Sequence, residues 1–414
     1  MGIFKVYIKP FDEDGNYTEF QEVTQYVDRT SLSEISQTIE GNSDYQLGVF
    51  TFSNLNIKLN NRTGKFSDVE TVQSIFRFKR ADSILKITWK IQDGPYCGIA
   101  ASDGSEYLND EIEIFRGLIN DESFSTDAKT QNVSLKVLGL ESLFARTIVP
   151  FDTVNAGDTM AETMLLILDQ PEITDLLTLS IANIVPGSDQ AIDSIASLQN
   201  KTVKEGMDQL LAASNSVLYI KDDTIYVQDR APTTLSQFTF YGQASRLGVE
   251  NALDIGEIKN GVARVVNYVS WESTALTDSD DESVARHGVK KKTLNYEFLT
   301  DTTKRENLLA AIIADFSTAK QELNLTCELN YKTIVLGILD RVLIDYPTVY
   351  LPGEEEIPIC GIAEWGDDVD GDPAGALMPE ALWSFSVSTD EPYKILSKKI
   401  NTKNQSITFR LRRV

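Results

Sequence analysis

The stretch 283–347 constrains the fold most, because strand and helix periodicities follow one another within it. A strand-like run around Tyr296 leads into a helix predicted at 304–322, whose apolar residues recur at helical spacing. The next strand, 323–331, alternates apolar and polar residues, so one of its faces is buried and the other wet. A third strand is predicted at 340–346. Together they predict a compact β-α-β-β unit, a pattern that is also typical of any α+β domain core.

The rest of the chain divides by pattern into β-rich ends and a helical block. Residues 1–150 are predicted to be mainly strands, with a hairpin of 111–117 and 133–138. The block 151–240 predicts an α+β insertion, with a helix after a possible Asp158 cap. From 241 onward strands are predicted again.

Two local signals in this block have a clear mechanism. Thr202 and Glu205 have the spacing of a capping box, which predicts the start of a helix. The segment SVLYIKDDTIYVQDR predicts a hairpin that turns on Asp222 and Asp223.

The two β-rich ends contain a weak internal repeat. The segments from Ile114 (IFRGLINDESFSTDAKTQNVSLKVLGL) and from Tyr393 (YKILSKKINTKNQSITFRLRRV) share a short strand, a polar turn and an alternating closing strand. Two related β modules separated by an insertion explain this order. Chance hairpins in any antiparallel protein explain it as well.

Charge is the strongest compositional fact about the 414-residue chain. It has 62 acidic and 38 basic residues, for a net charge of −24. Direct binding to nucleic acid or to an anionic membrane is disfavoured, because phosphate affinity needs cations. The acidity predicts either solubility through self-repulsion or a surface past which a polyanion moves without binding.

Targeting and redox signals are sparse. No run approaches 18 apolar residues, and the N-terminal residues lack the apolar core of a signal peptide, so synthesis in the cytoplasm is expected. Cys97, Cys327 and Cys360 form no metal or disulfide pattern, and Cys327 is predicted to be a buried apolar residue.

Motifs for catalysis are absent from the sequence. His287 stands alone in a polar segment and is interpreted as a surface histidine, although Ser283 lies four residues before it. There is no GxSxG, P-loop or GxGxxG pattern. Among 62 acidic residues no pair stands out as a glycosidase pair. We therefore expect no enzyme activity and no cofactor.

Charged segments offer the remaining candidate sites. The Asp-rich loop 366–375 fails the EF-hand pattern at its first and last ligand positions, which favours a solvated turn over a metal site. The acidic run 277–282 is likewise interpreted as a solvated loop. A basic cluster at 290–292, beside Arg286, is a poor nucleic-acid platform but could meet an acidic face on a neighbouring subunit.

Several stretches together resemble the baseplate hub proteins of tailed bacteriophages, the late-control-D-like family. These stretches are VTQYVDRTSLSEISQTIEGNSDYQLGVFTFSNLNIKLNNRTGKFSD, KEGMDQLLAASNSVLYIKDDTIYVQDR, RVVNYV, and ARHGVKKKTLNYEFLT followed by LLAAIIADF and LDRVLIDYP. The likeness spans most of the chain as loose patterns, without an invariant catalytic motif.

The resemblance implies a non-enzymatic virion protein at the tail tip, made in the host bacterial cytoplasm. Two β-barrel-like modules per subunit (1–150 and 241–414, the latter with helix 304–322), separated by the insertion 151–240, form a trimeric, pseudo-sixfold ring. Its partners are the distal tail protein or tail tube above, a central fibre or spike below, and the tape measure protein. DNA passes through without specific binding.

Within such a ring, the acidic residues of the run 277–282 are candidates for the lumen. The candidate residues are Asp278, Asp280, Asp281 and Glu282. Many long hub proteins continue into a peptidoglycan-cleaving domain, whereas this chain stops at Val414, so cell-wall hydrolysis is expected of another protein.

The alternative is a carbohydrate-active protein, either a receptor-binding tail component or a glycan hydrolase. It would use aromatic side chains such as Trp271, Trp365 and Trp383 as sugar platforms. An ordinary bacterial α+β protein is the third possibility.

Overall fold

The structure is a computed structural model of the chain. It describes residues 2–28, 30–32, 34–38, 53–67, 71–91, 111–127, 129–150, 154–230, 238–241, 252–259, 261–345 and 392–414.

Strands and helices follow one another along the described residues. The N-terminal part contains β1 (Gly2–Lys9), β2 (Gln21–Glu22), β3 (Glu34–Thr38), β4 (Asn54–Asn60), β5 (Ile84–Ile91), β6 (Ile112–Asp127) and β7 (Asn132–Gly139). The middle contains α1 (Leu143–Arg146), α2 (Met160–Leu168), α3 (Pro171–Thr174), β8 (Ile184–Val185), α4 (Val203–Ala213), β9 (Ser216–Lys221) and β10 (Thr224–Asp229). The C-terminal part contains β11 (Phe238–Tyr241), β12 (Ala252–Lys259), β13 (Tyr268–Trp271), β14 (Thr277–Ser279), α5 (Asp281–His287), β15 (Lys291–Leu294), α6 (Thr302–Phe316), β16 (Glu322–Glu328), α7 (Tyr331–Ile334), β17 (Arg341–Asp345), β18 (Tyr393–Asn401) and β19 (Ser406–Arg413).

Two large curled sheets dominate the fold. The first has the strand order β2-β1-β5-β6-β7-β4, and the second has the order β11-β17-β18-β19-β16-β12. Smaller sheets, β8-β10-β9 and β14-β13-β15, lie with the helices. The predicted fold class is confirmed: a β-rich α+β protein with two half-barrel modules and a smaller α+β part.

The two large sheets share one topology. In the first, consecutive strands β4 to β7 are arranged as β5-β6-β7-β4, and in the second, β16 to β19 are arranged as β17-β18-β19-β16. Every pairing within both sets is antiparallel. The weak internal repeat in the sequence corresponds to equivalent hairpins, β6–β7 and β18–β19.

One strand crosses between the modules. β3 comes from the N-terminal part but pairs with β18, with Ile35 opposite Ile400. Lys399 and Glu34 form an ion pair of 2.8 Å beside this pairing. Thr402 also donates its hydroxyl hydrogen to the Leu32 carbonyl oxygen. The N-terminal segment therefore completes the C-terminal sheet.

The large sheets enclose one common apolar core. Alternation turns Ile87 and Leu135 of the first sheet and Leu325, Ile395 and Phe409 of the second toward it, and all five side chains are buried. On the other face of the β16–β19 pair, Thr326 and Thr408 share a hydrogen bond of 2.9 Å. Removing this apolar area from water is the main stabilising contribution of both sheets.

A second core joins the helical block to later residues. Met164 of α2 and Leu210 of α4 share it with Trp271 of β13 and with Leu309 and Phe316 of α6. The helix predicted at 304–322 thus ends at Phe316 and packs on β13 and β14. Six residues of the predicted length are absent from it because Ser317 is its C-cap and the chain turns into β16 at Glu322.

The predicted β-α-β-β unit is wrong as a unit. Tyr296 and Phe298 follow β15 outside any strand, and β15 lies in the small sheet with β13. β16 and β17 lie in the second sheet with β18 and β19 between them. Periodicity identified α6, β16 and β17, but it carries no information about which strands pair. The boundaries of the three predicted domains remain a prediction.

Turn and cap chemistry explains the helical block. The capping box of Thr202 and Glu205 is confirmed, with Thr202 Oγ1 accepting from Glu205 N at 3.2 Å. At α2 the cap is Thr159, paired with Glu162, and the predicted Asp158 lies one position too early. The hairpin β9–β10 turns on Asp222 and Asp223, whose φ angles are +48° and +60°.

A buried ion pair connects the second core to the second sheet. Arg264 Nε lies 2.8 Å from Glu322 Oε1, and both side chains are less than a tenth exposed. Arg410 Nη2 reaches the other oxygen of Glu322 at 3.4 Å. Nearby, Lys320 Nζ donates to Asp315 Oδ1 at 3.0 Å. Charged groups thus bridge the segment before β13, the end of α6 and the edge of the sheet.

Candidate functional site

The acidic run 277–282 is an ordered strand and helix start, so the prediction of a solvated loop is wrong. Asp278 lies in β14, which pairs with β13. Asp280 is the N-cap of α5, and Asp281 and Glu282 form its first turn. Asp and Glu are favoured at these positions because a carboxylate accepts hydrogen bonds from the free N–H groups of a helix start, and because its negative charge is attracted by their partial positive charge.

Each carboxylate in this run has a local partner. Asp280 Oδ1 accepts from Ser283 N at 2.9 Å, and this backbone hydrogen bond lowers the pKa of Asp280. Asp278 accepts from Ser279 N at 2.9 Å, and Asp281 accepts from the Ser279 hydroxyl at 3.2 Å. Glu282 pairs with Arg286 at 2.8 Å. The four residues are neighbours in β14 and the start of α5, where Asp281 and Glu282 are exposed and Asp278 and Asp280 are partly exposed.

His287 and Ser283 are not arranged for catalysis. Both lie on α5, His287 in its last turn and partly exposed. Ser283 is buried, donates its hydroxyl hydrogen to the Ser317 carbonyl oxygen and lies 3.3 Å from Asn267 Nδ2. Its hydroxyl therefore ties α5 to the end of α6.

The aromatic residues proposed as sugar platforms do not support that role where the structure describes them. Trp271 is 2% exposed and packs edge-on against Tyr296, with ring centroids 5.9 Å apart. Arg305 lies over the Trp271 ring at 4.8 Å. Trp271 is a core residue, and Trp365 and Trp383 lie outside the described residues.

The structure bears on the predicted metal loop and on membrane insertion only where it describes the chain. The Asp-rich loop 366–375 lies outside the described residues. Among the residues that are described, no group of three or more His, Cys, Asp or Glu side chains could hold a metal ion. In these same ranges no helix is both long and apolar enough to cross a membrane. Cys327 is buried, as predicted.

A cavity that the sequence did not reveal lies at the junction of the modules. It encloses about 360 Å³ between β3, β6, the β9–β10 hairpin, the segment after α7, and β18. On one wall Arg116 holds two carboxylates, Glu113 and Asp223. Burial raises the pKa of both acids despite this shared partner.

The other walls of the junction cavity hold two buried ionisable groups. Lys398 donates through Nζ to the Ile334 and Leu336 carbonyl oxygens, and burial lowers its pKa to about 8. Burial raises the pKa of Glu141 to about 7, and its Oε1 accepts from the Ser53 hydroxyl at 3.4 Å. These groups come from elements far apart in sequence, so no local motif could have identified them.

The chemistry of this cavity favours a structural role. Arg116 is committed to two carboxylates, and Lys398 is committed to two backbone carbonyls. A general base needs a nucleophile or substrate proton within reach. The polar groups here instead bind one another across the seam between the hairpin and the sheets.

The fold is that of phage tail proteins. The chain is similar to a tail protein from Neisseria meningitidis MC58, with a TM-score of 0.56, 10% identity, and coverage of 99% of this chain and 96% of the other. It is also similar to the prophage tail protein gp18 of Listeria monocytogenes EGD-e, with a TM-score of 0.50, 10% identity and coverage of 99% and 94%.

A third similar structure is the 43 kDa tail protein of prophage MuSo2 from Shewanella oneidensis. Its TM-score is 0.50, with 11% identity and coverage of 99% and 96%. No protein-family model and no curated protein matches the chain. At these identities the likenesses show a shared fold from end to end.

Proposed function

We propose that this chain is the structural hub of a phage tail tip or baseplate. Three copies form a ring that joins the tail tube or distal tail ring to a central fibre or spike. The observation that carries the proposal is the end-to-end fold shared with three tail proteins, each covered over nine-tenths of its length. The role is non-enzymatic, and the protein belongs to the virion.

The repeated topology supports the symmetry of such a ring. One chain presents the β5-β6-β7-β4 arrangement and its counterpart in the second sheet, β17-β18-β19-β16. Three chains therefore present six equivalent sheets, which suits a contact with a sixfold tube on one side and a threefold fibre on the other. The tape measure protein and the passing DNA occupy the centre.

The acidic surface formed by Asp278, Asp280, Asp281 and Glu282 belongs to the lumen in this proposal. Like charges repel DNA phosphates over about one Debye length, which is about 8 Å at physiological salt. The net charge of −24 acts in the same direction. DNA thus moves through the ring without binding to it.

The direct test is the mass of the purified full chain by light scattering, with negative-stain images of the same sample. We expect about three chains per particle and a closed threefold ring with a central opening. Mass spectrometry of purified virions tests the location independently of assembly in solution. Virions that lack the chain would overturn the proposal.

A further inference from the structure

The segment 147–200, which includes the first part of the α+β block, carries charges of one sign only. Residues 147–200 contain no lysine or arginine. Their acidic residues are Asp152, Asp158, Glu162, Asp169, Glu172, Asp175, Asp189 and Asp193. A surface of one sign raises the local concentration of partners of the other sign.

An open hollow of about 600 Å³ lies within this acidic segment, beside the end of α2 and the segment after α3. Its lining includes the apolar residues Leu165, Leu176, Leu179 and Ile181 together with Asp169, Asp175 and Asp223. Ile181 is 52% exposed, and Asp169 and Asp175 are exposed as well. We call this surface the acidic hollow.

A surface of opposite character lies between α5 and β15. Val289 is 63% exposed, and Lys290 and Lys291 beside it are exposed as well. Arg286, in the last turn of α5, adds a further exposed cation. We call these four residues the basic knob. In the described part of the chain, β15 is paired on one side, with β13.

The two surfaces carry charges of opposite sign, and both expose apolar side chains. Each thus combines exposed apolar side chains with charged ones, as on the two sides of a complementary protein interface. Val289 and Ile181 both remain more than half exposed, so the knob and the hollow do not cover each other within one chain.

We propose that the basic knob of one copy docks into the acidic hollow of a second copy of this chain. Because the contact joins two different surfaces, it is head-to-tail, and repeating it closes a ring of three copies when each copy is rotated by a third of a turn relative to the last. Copies that each carry a net charge of −24 repel one another, so their contact needs a local region of opposite sign, which the knob supplies. The inference rests on the proposed ring and names the surfaces that form it.

Charge reversal tests this contact. The knob variant is Lys290→Glu with Lys291→Glu, and the hollow variant is Asp169→Lys with Asp175→Lys. Each should raise the concentration needed for assembly at least tenfold in light scattering, because like charges then face each other. The variant with all four changes should return to within about threefold of the unchanged chain, since the signs are opposite again.

Matched controls carry the same charge changes elsewhere. They are Lys129→Glu with Lys403→Glu and Glu13→Lys with Asp14→Lys, at exposed positions outside both surfaces. The controls should assemble as the unchanged chain does. Circular dichroism melting curves must show that every variant is folded. Rescue by the fourfold variant is a result that a merely structural effect of the substitutions does not produce.

A second measurement applies even if assembly is weak. A chain with Val289→Cys is mixed with a differently tagged chain with Ile181→Cys, in a background with Cys97→Ser and Cys360→Ser. A short bismaleimide should join the two chains at least tenfold more than it joins Val289→Cys with Val72→Cys, since Val72 is an exposed residue outside the hollow.

Equal cross-linking of the two pairs, or a ring that is insensitive to both charge reversals, would overturn the knob-and-hollow contact. A ring that forms without the contact leaves the hub function intact. Absence of the chain from purified virions removes the hub function, whatever the cross-linking shows. The two proposals therefore fail separately.

Discussion

Glu141 shows how a single buried carboxyl affects the stability of the molecule. It is 8% exposed, and its Oε2 lies so close to Gly139 that a Cβ on that glycine would be 2.1 Å from it. Burial raises the Glu141 pKa to about 7, above its ordinary value of 4.5. Between these values the folded state keeps a proton that the unfolded state releases, so stability falls as pH rises through this window.

Replacing Glu141 with Gln should therefore stabilise the protein at pH 8. The expected gain over the unchanged chain is on the order of 3 kcal/mol at pH 8 and is much smaller at pH 4.5. Urea unfolding at the two pH values measures it. The control is Glu13→Gln at an exposed turn, for which no such difference is expected. A gain for Glu141→Gln that is independent of pH would contradict the explanation.

Gly261 is a second residue whose identity is required by its surroundings. Its φ is +70°, and a Cβ on it would lie 1.9 Å from the Lys320 carbonyl oxygen. Gly261→Ala should cost roughly 1–3 kcal/mol for the backbone conformation and more for the clash. Gly15, with φ of +81° and open space around it, isolates the backbone cost. Equal melting temperatures for Gly261→Ala and Gly15→Ala would argue against the clash.

Among the ion pairs between elements, the buried pair of Arg264 and Glu322 is the one whose loss is expected to lower the unfolding free energy most. Arg264→Met leaves a buried carboxylate with Arg410 at 3.4 Å, and we expect a loss of about 3–5 kcal/mol in unfolding free energy. Arg286→Met breaks an ion pair of the same 2.8 Å length that is exposed, and should cost less than about 1 kcal/mol. Chemical denaturation of both variants makes the comparison. Similar losses in unfolding free energy for the two variants would mean that burial does not determine the contribution of an ion pair.

Elements were predictable from the sequence where their signals are local. The Thr202 capping box and the Asp222-Asp223 hairpin each depend on a few neighbouring residues, and both were predicted correctly. The helix end at Phe316 was not, because residues 319–322 (AKQE) are all good helix formers and give no local stop signal. Pairing was least predictable. Alternation identified β16 and β17 but said nothing of the strands between them, or of β3 joining the second sheet.

The candidate site was also predicted only in part, because local patterns do not show which elements meet in the fold. The acidic run was visible as a cluster, but its capping role at Asp280 appears only when the start of α5 is known. The cavity groups Glu141, Arg116 and Lys398 lie on separate elements. Their neighbourhood follows from the tertiary fold, which local sequence patterns do not reveal.

For the whole molecule, the proposed lumen charge leads to a prediction about genome delivery. The variant with Asp278→Asn, Asp280→Asn, Asp281→Asn and Glu282→Gln removes four negative charges, and Asn keeps the cap of α5. We expect slower DNA release from triggered virions, because weaker repulsion lets DNA linger in the ring. The matched control removes four exposed negative charges elsewhere, through Glu13→Gln, Asp14→Asn, Glu19→Gln and Glu22→Gln. Release as fast as in the unchanged virion would place these residues outside the lumen.

The strand that crosses between the modules also governs when the molecule can finish folding. β3 pairs with β18 but leaves the ribosome hundreds of residues before it. A second contact of this kind joins Gly2 to Gln405, 403 positions apart, where Gly2 N donates to Gln405 Oε1 at 3.2 Å. Contacts of such separation form late and slowly. The second sheet therefore closes after synthesis ends, and until then the nascent chain carries an open strand edge. A chain shortened before β18 leaves β3 with no partner in that sheet.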